Sequence, residues 1–201
     1  CGSAYIGGFR AGTQQIEEIV KRKFPQARVL RMDMDTTKNK GGHEKILSKF
    51  ADEEADIMIG TQMIVKGHDF PNVTLVGVLA ADMSLYSDDY RSGERTFQLL
   101  TQAAGRAGRG RRPGEVVIQT YSPEHYSIQM AARQDYEGFY EKEMNYRDLM
   151  GYPPASQLMA VLMTGADEVR LATAAEYLKK YAVRVNTGEE IQVIGPASPS
   201  V

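Results

Sequence analysis

The chain has 201 residues, 42% hydrophobic and 25% charged, a size that suits one full globular domain plus part of a second. The formal net charge of -2 excludes a chain that is basic throughout, so any contact with nucleic acid must come from local basic patches. The single cysteine, Cys1, excludes an internal disulfide framework and fits a reducing compartment, and no apolar run approaches the roughly 18 residues of a membrane span.

Helical and strand-like patterns alternate over the first two-thirds of the chain. Helical spacing of apolar residues predicts helices that start near Gly12 and cover 43–50 and 95–104. Short apolar runs predict strands at 27–32, 56–60, 73–79 and 116–119. The third run is apolar enough for a strand that is buried on both faces. This alternation predicts an α/β fold, a parallel sheet with helices on both faces.

The pattern changes after the fourth predicted strand. Residues 123–150 have the pattern of helices, and Tyr152-Pro153-Pro154 breaks them because the residue before a proline disfavours helix. A strand at 158–163, a helix at 166–181 and a strand at 191–194 would then form an incomplete α+β unit. We therefore predict a first domain at 1–150 and the start of a second at 151–201. Both ends of the sequence have the look of fragment boundaries.

The most informative motif is the run Gln-Ala-Ala-Gly-Arg-Ala-Gly-Arg at 102–109. Glycines allow a helix end to pack close to a neighbour or a ligand. Arg106 and Arg109 lie three residues apart, and two guanidinium groups aimed at one point suit a phosphate chain. A solvated basic turn is the alternative interpretation.

A second motif begins where the second predicted strand ends. Gly60-Thr61-Gln62 is followed by Lys66-Gly67-His68-Asp69 and Phe70-Pro71. A Gly-Thr pair at a strand end offers backbone N–H groups and a hydroxyl to a phosphate, and the Asp69 carboxylate suits a sugar hydroxyl. The alternative is an ordinary loop in which Asp69 forms a turn.

In this order the two motifs resemble motifs V and VI of superfamily 2 helicases. The resemblance narrows to the primosomal protein N′ family, the replication-restart DNA helicases of bacteria, and covers essentially the whole chain. The segments that narrow it are 1–3, 31–37, 72–76, 89–95, 98–102, 151–154 and 194–196. It implies a RecA-like second motor lobe, followed by the start of a C-terminal α+β domain.

The family resemblance also implies roles for single residues in an ATP-dependent DNA helicase that acts at stalled or branched forks in replication restart and primosome assembly. Arg106 and Arg109 would be arginine fingers on ATP, a contribution on the order of 10³–10⁵ in rate. Gln102 would position the phosphate or the attacking water. Gly67 and Asp69 would contact the nucleotide, and Gly60 and Thr61 would hold a phosphate of the DNA strand. Lys66 could belong to either site.

The same resemblance implies cofactors that the chain does not bind alone. ATP and Mg²⁺ would be held mainly by a first lobe, since the sequence has no phosphate loop and no acidic magnesium motif. The isolated chain is therefore expected to be inactive in ATP hydrolysis. Cys1 would be a Zn²⁺ ligand only in the full-length protein, because a tetrahedral site needs about four ligands.

Two further stretches allow alternative interpretations. Tyr136, Tyr140 and Tyr146 suit a stacking platform for bases, but their near-helical spacing favours partial burial against the lobe. Arg111 and Arg112 favour a solvated turn. Gly93 and Ala103 depart from the family, which commonly has alanine and valine there.

Rival functions remain open at this point. The chain could be a non-enzymatic module that docks DNA or proteins of the replication machinery, or part of a duplex translocase that does not unwind. The resemblance implies forked or single-stranded DNA, single-stranded DNA-binding protein and other primosome proteins as partners. It also implies a bacterial cytoplasmic protein associated with the nucleoid and without a membrane.

Overall fold

The computed structural model describes residues 12–37, 41–65, 70–110, 112–188 and 191–198. The chain divides into two compact units, one that ends at Ala155 and one that begins at Ser156. The assignment of these units to a helicase lobe and to the start of a C-terminal domain stays a prediction.

Helices and strands alternate in the first unit, as the sequence patterns predict. In chain order they are α1 (Thr13–Lys23), β1 (Val29–Met32), α2 (Gly42–Ala51), β2 (Ile57–Gly60), a 3₁₀ helix (Gln62–Val65), β3 (Leu75–Val78), α3 (Asp82–Leu85), α4 (Ser92–Ala104), β4 (Glu115–Ile118), α5 (Tyr126–Arg133) and α6 (Tyr136–Met150). The 3₁₀ helix and α3 were not predicted, because one turn is too short to show a helical period.

All the strand pairs among the described residues are parallel. β1 pairs with β2, Val29 opposite Ile57, and β3 pairs with β4, Leu75 opposite Glu115. In that part of the chain the strands form two sheets of two strands each. The predicted parallel α/β fold is confirmed.

The first sheet is covered by a helix on each face. Successive strand residues point to opposite faces, and β1 shows this at its end. The Arg31 guanidinium lies 3.4 Å from the Glu17 carboxylate on α1. Met32 is fully buried in a cluster with Leu47 of α2 and with Phe70. Helices on both faces are therefore confirmed for this sheet.

The second sheet is covered by helices on one face in the described residues. Val78 and Ile118 pack against a core built from α3, α4, α5 and α6, in which the Phe97 and Phe139 rings stack with centroids 4.1 Å apart. Alternate residues point away from this core, and Leu75 is 60% exposed. The expectation that the third predicted strand is buried on both faces is therefore wrong, because α4, α5 and α6 pack on the same side.

The predicted break after the trailing helices is confirmed. α6 ends at Met150, and Gly151 adopts a left-handed conformation with φ of 65°, which glycine reaches without steric cost. The Tyr152 N–H then donates to the Arg147 carbonyl over 2.8 Å.

The second unit contains the helix α7 (Glu168–Val185), close to the predicted one. The strands predicted at 158–163 and 191–194 are wrong, since neither segment is a strand. An apolar run becomes a strand only when a neighbour accepts its backbone hydrogen bonds, and Met159 is 90% exposed here. None of the described helices is both long and apolar enough to cross a membrane.

Candidate functional site

The arginine motif occupies the connection between α4 and β4. α4 is amphipathic: Phe97, Leu100 and Ala103 are buried, whereas Gln102 faces solvent. The helix ends at Ala104, and the chain continues as a tight turn in which the Arg106 N–H donates to the Ala103 carbonyl over 3.0 Å. Residues 105–110, called here the arginine turn, thus leave directly from the end of a helix that the core holds.

The glycines of the arginine turn allow backbone segments to touch. Gly108 has φ of +74°, and a Cβ there would lie 2.5 Å from the Gly114 nitrogen. A Cβ on Gly110 would collide with the Pro71 carbonyl oxygen. The Gly108 N–H donates to the Val73 carbonyl over 3.0 Å. The arginine turn therefore packs on residues 71–73, which comprise the last residue of the second motif and the two residues after it.

The two arginines of the turn have different environments. Arg106 is half-buried and Arg109 is exposed. Arg109 Nε donates to the Gly105 carbonyl over 2.5 Å, where a cation satisfies a carbonyl at the end of α4 and interacts favourably with the helix dipole. Both side chains carry the fork of donors that phosphate oxygens accept. Their role as arginine fingers stays a prediction.

The Gly-Thr pair lies at the carboxyl end of β2. Gly60 pairs with Met32, and a Cβ on Gly60 would lie 2.5 Å from the Met32 carbonyl oxygen. Glycine is thus required there for strand packing, whatever it binds. Thr61 is exposed, and its carbonyl accepts the Ile64 N–H over 3.1 Å. The Thr61 hydroxyl is accessible for a hydrogen bond with a phosphate.

Part of the predicted site lies outside the described residues, namely Lys66, Gly67 and Asp69, and so does Cys1. Directly after them, Phe70 is 6% exposed, and its ring meets Phe50 edge-on at 5.0 Å. The 3₁₀ helix that follows Thr61 packs against α4. The structure therefore brings the parts of the second motif on either side of residues 66–69 against the helix and the turn of the first motif.

A buried carboxylate that the sequence interpretation left without a role lies at the end of β1. Asp33 is 8% exposed; it accepts the Thr13 hydroxyl at 2.6 Å and the Thr36 N–H at 2.9 Å. The Thr13 hydrogen bond, with that from Thr36, lowers the pKa of Asp33. This contact fixes the start of α1 beside the end of β1. An Asp followed by Thr three residues later was the available signal.

A second carboxylate, also missed, joins the ends of the other two strands. Asp82, just after β3, accepts the Thr120 hydroxyl at 2.9 Å and the Tyr121 N–H at 3.0 Å, just after β4. Burial works against the charged form, but these hydrogen bonds outweigh it and lower the pKa of Asp82. Nothing in the local sequence pairs residues that lie this far apart.

The tyrosines of α6 keep much of their surface exposed. Tyr136 is 64% exposed and Tyr140 is 53% exposed. One side of the Tyr136 ring approaches Phe97, with centroids 6.3 Å apart, and Tyr146 approaches Tyr152 at 6.1 Å. The rings are therefore partly covered by the lobe, with an outer face left to solvent.

Metal ligands do not cluster in the described part of the chain, where no group of three or more His, Cys, Asp or Glu could hold an ion. Cys1 lies outside that part, so zinc binding stays a prediction for a longer protein.

Comparison with known proteins gives a match to a family model and to several relatives. The model of the helicase conserved C-terminal domain matches residues 8–111, a span that ends just after the arginine turn. The replication restart protein PriA of Bacillus subtilis is 52% identical over 200 residues, which are 99% of this chain and 25% of that protein. Its namesake in a Synechocystis strain is 41% identical over 201 residues, 100% of the chain and 24% of the relative. The Chlamydia pneumoniae protein is 49% identical over 155 residues, 77% of the chain and 21% of the relative. The chain thus spans about a quarter of the length of these relatives.

Proposed function

The chain belongs to the helicase conserved C-terminal domain family, and from that membership we propose that it is the second motor lobe of an ATP-dependent DNA helicase that acts in replication restart. Its α/β fold agrees with a RecA-like lobe, and the predicted resemblance to the replication-restart helicases is confirmed. The relatives are named replication restart proteins, which supports the choice of replication restart, and DNA is the molecule that replication copies.

One observation carries the proposal: the arginine turn packs on the end of the second motif and on the residues just after it. The hydrogen bond between Gly108 and Val73 holds the arginine motif against the residues just after the second motif, and these are the two motifs that a helicase lobe uses for nucleotide and nucleic acid. A solvated basic loop would have no need for glycines at both points of backbone contact, Gly108 and Gly114. The packing favours a turn that presents its side chains in a fixed direction.

In this proposal Arg106 and Arg109 bind the phosphate chain of ATP, and Gln102 positions the terminal phosphate or the attacking water. Bound ATP with Mg²⁺ supplies the phosphoryl transfer that drives movement. Arg106 leaves the helix end through the hydrogen-bonded turn, which limits the positions that its guanidinium can take. Gly67 and Asp69 complete the nucleotide contacts, and Lys66 joins either site.

The DNA contact of the proposal lies at the carboxyl end of β2. The exposed Thr61 hydroxyl donates to a phosphate of the strand, beside the Gly60 backbone. The arginine turn, by contrast, leads into the amino end of β4. The connection from Thr61 through the 3₁₀ helix to the residues that contact the arginine turn would carry changes between the two sites.

Partners and location follow from the same proposal. We place the protein in the bacterial cytoplasm at the nucleoid, on forked or single-stranded DNA, with single-stranded DNA-binding protein and other primosome proteins. Cys1 would hold Zn²⁺ together with ligands in a longer protein.

The experiment is to measure ATP hydrolysis and strand displacement by the longer protein that carries this chain. We expect hydrolysis that DNA stimulates and unwinding of a forked duplex. Hydrolysis without displacement would identify a translocase, and DNA binding without hydrolysis would identify a docking module; either result overturns the helicase assignment. The 201-residue chain alone should show no ATP turnover, since the phosphate loop motif does not occur in it.

A further inference from the structure

Two oppositely charged side chains of α6 are buried in the first unit. Glu143 is 4% exposed and Arg147 is 8% exposed. Charges are costly to remove from water, so a buried pair persists only when each group is well bonded. Arg147 Nε donates to Glu143 Oε1 over 2.9 Å, and the Tyr126 hydroxyl of α5 donates to the other Glu143 oxygen over 2.8 Å.

The Arg147 guanidinium divides its three nitrogens among three parts of the chain. Besides Nε on Glu143, Nη2 donates to Glu94 of α4 over 2.6 Å. Nη1 donates to the Pro153 carbonyl over 2.9 Å. The guanidinium carbon also lies 5.5 Å from the centre of the Tyr90 ring. A lysine has a single nitrogen on a flexible stem and lacks the planar fork that this geometry uses.

The elements joined in this way connect the arginine turn to the end of the first unit. Glu94 lies in the first turn of α4, whose other end carries Gln102 and leads into the arginine turn. The 13 residues of α4 span about 20 Å and form one rigid rod. Pro153 lies in the last residues of the first unit, which ends at Ala155. Stability alone does not explain the arrangement, because a well-packed apolar pair stabilises as well as a buried ion pair.

We propose that Arg147 is a positioning residue that keeps the last residues of the first unit fixed to α4, so that movement of the arginine turn during ATP turnover reaches the chain as it leaves this unit. The proposal rests on the helicase function proposed above. In this arrangement Arg147 contacts neither nucleotide nor DNA. Its effect passes through its hydrogen bonds to Glu94 on one side and to Pro153 on the other. Loss of the link uncouples strand displacement from ATP hydrolysis.

The test uses the longer protein and measures strands displaced per ATP hydrolysed on a forked duplex. Arg147→Lys keeps the positive charge beside Glu143, and Glu94→Met removes the bond to α4 from a residue that is partly exposed. Lys142→Met removes an exposed cation from the same helix and is the matched control. We expect both junction variants to hydrolyse ATP within about twofold of the parent rate while displacement per ATP falls about tenfold, and the control to match the parent.

The outcomes separate the two proposals. Unchanged displacement per ATP in a folded Arg147→Lys protein overturns the positioning role, and so does a parallel fall of hydrolysis and displacement, which is what lost stability alone would give. If Arg147→Lys does not fold, the number of strands displaced per ATP hydrolysed by Glu94→Met tests the positioning role in the same way. A parent protein that neither hydrolyses ATP nor displaces a strand refutes the helicase function itself.

Discussion

The backbone N–H of Gly108 donates to the carbonyl of Val73 over 3.0 Å, and this bond joins the arginine turn to the segment that leads into β3. Gly108 belongs to the arginine motif, whereas Val73 lies just beyond the end of the second motif, and the two residues are far apart in sequence. Because the bond is between backbone groups, it depends on how closely the two segments approach. Glycines at the contact make that approach possible.

Replacing Gly108 with alanine should therefore destabilise the lobe. The left-handed conformation, with φ of +74°, is strained for alanine, and the new Cβ would meet the backbone nitrogen of Gly114 at 2.5 Å. We expect the free energy of unfolding of the 201-residue chain, measured in urea, to fall by about 3 kcal/mol. Gly77→Ala is the control, since a Cβ there has no atom within 4 Å. Equal midpoints for the two variants would contradict the packing argument.

Arg106→Ala in the longer protein should abolish ATP hydrolysis and leave DNA binding largely intact. A guanidinium that stabilises charge on the transferred phosphate contributes on the order of 10³–10⁵ in rate. Hydrolysis is measured in the presence of saturating DNA, and binding by fluorescence anisotropy at two salt concentrations. Arg112→Ala removes an exposed arginine just beyond the turn and should leave both unchanged. Survival of hydrolysis in Arg106→Ala would mean that Arg106 is no arginine finger.

The cost of removing one partner of the buried pair of α6 should depend on whether the other partner is present. Arg147→Met leaves the Glu143 carboxylate buried without its cation, and we expect the free energy of unfolding to fall by about 3 kcal/mol. The double variant Glu143→Leu with Arg147→Met should lose less than the sum of the two single variants, by about 2 kcal/mol. Urea unfolding of the parent, the two single variants and the double variant gives the coupling free energy between Glu143 and Arg147. Simple additivity would show that the two groups do not depend on each other.

Stability should also depend on pH through His125, which caps the start of α5. His125 Nδ1 accepts the Ser127 N–H over 3.2 Å, which only a neutral imidazole nitrogen can do. Burial lowers the pKa of His125, against the opposing charges of Glu143 and Glu124. The unfolded chain therefore takes up the proton first. The stability that His125 provides is complete above the unfolded pKa of about 6.5 and is lost as pH falls through the lower folded pKa.

Thermal unfolding measured between about pH 8 and pH 5.5 tests this effect. The slope of stability against pH should correspond to the uptake of at most about one proton on unfolding. His125→Asn keeps an oxygen that can accept the Ser127 N–H but has no titrating ring, so its curve should be flatter than that of the parent. His43→Asn tests whether another histidine is responsible and should leave the slope in place. Parallel curves for the parent and His125→Asn would exclude His125 as the source.

Local sequence determined the order and kind of most elements. Helical spacing around Phe97 and Leu100 marked α4, and short apolar runs marked the four strands, because each periodicity reflects contacts that one element makes with a single core. The arginine and Gly-Thr motifs could also be recognised in the sequence, and they indicated the helicase family that the comparison confirms. These signals are carried by neighbours in sequence.

Contacts between distant residues were decided only by the tertiary structure. No local pattern pairs Arg147 with Glu94, or Asp82 with Thr120, and the apolar run at 158–163 does not reveal whether a strand partner is present. Sequence periodicity records which side of an element is apolar, whereas hydrogen bonds and ion pairs across the fold depend on the distance at which packed elements meet. For that reason the motifs could be identified from the sequence, and the buried links that hold them in place could not.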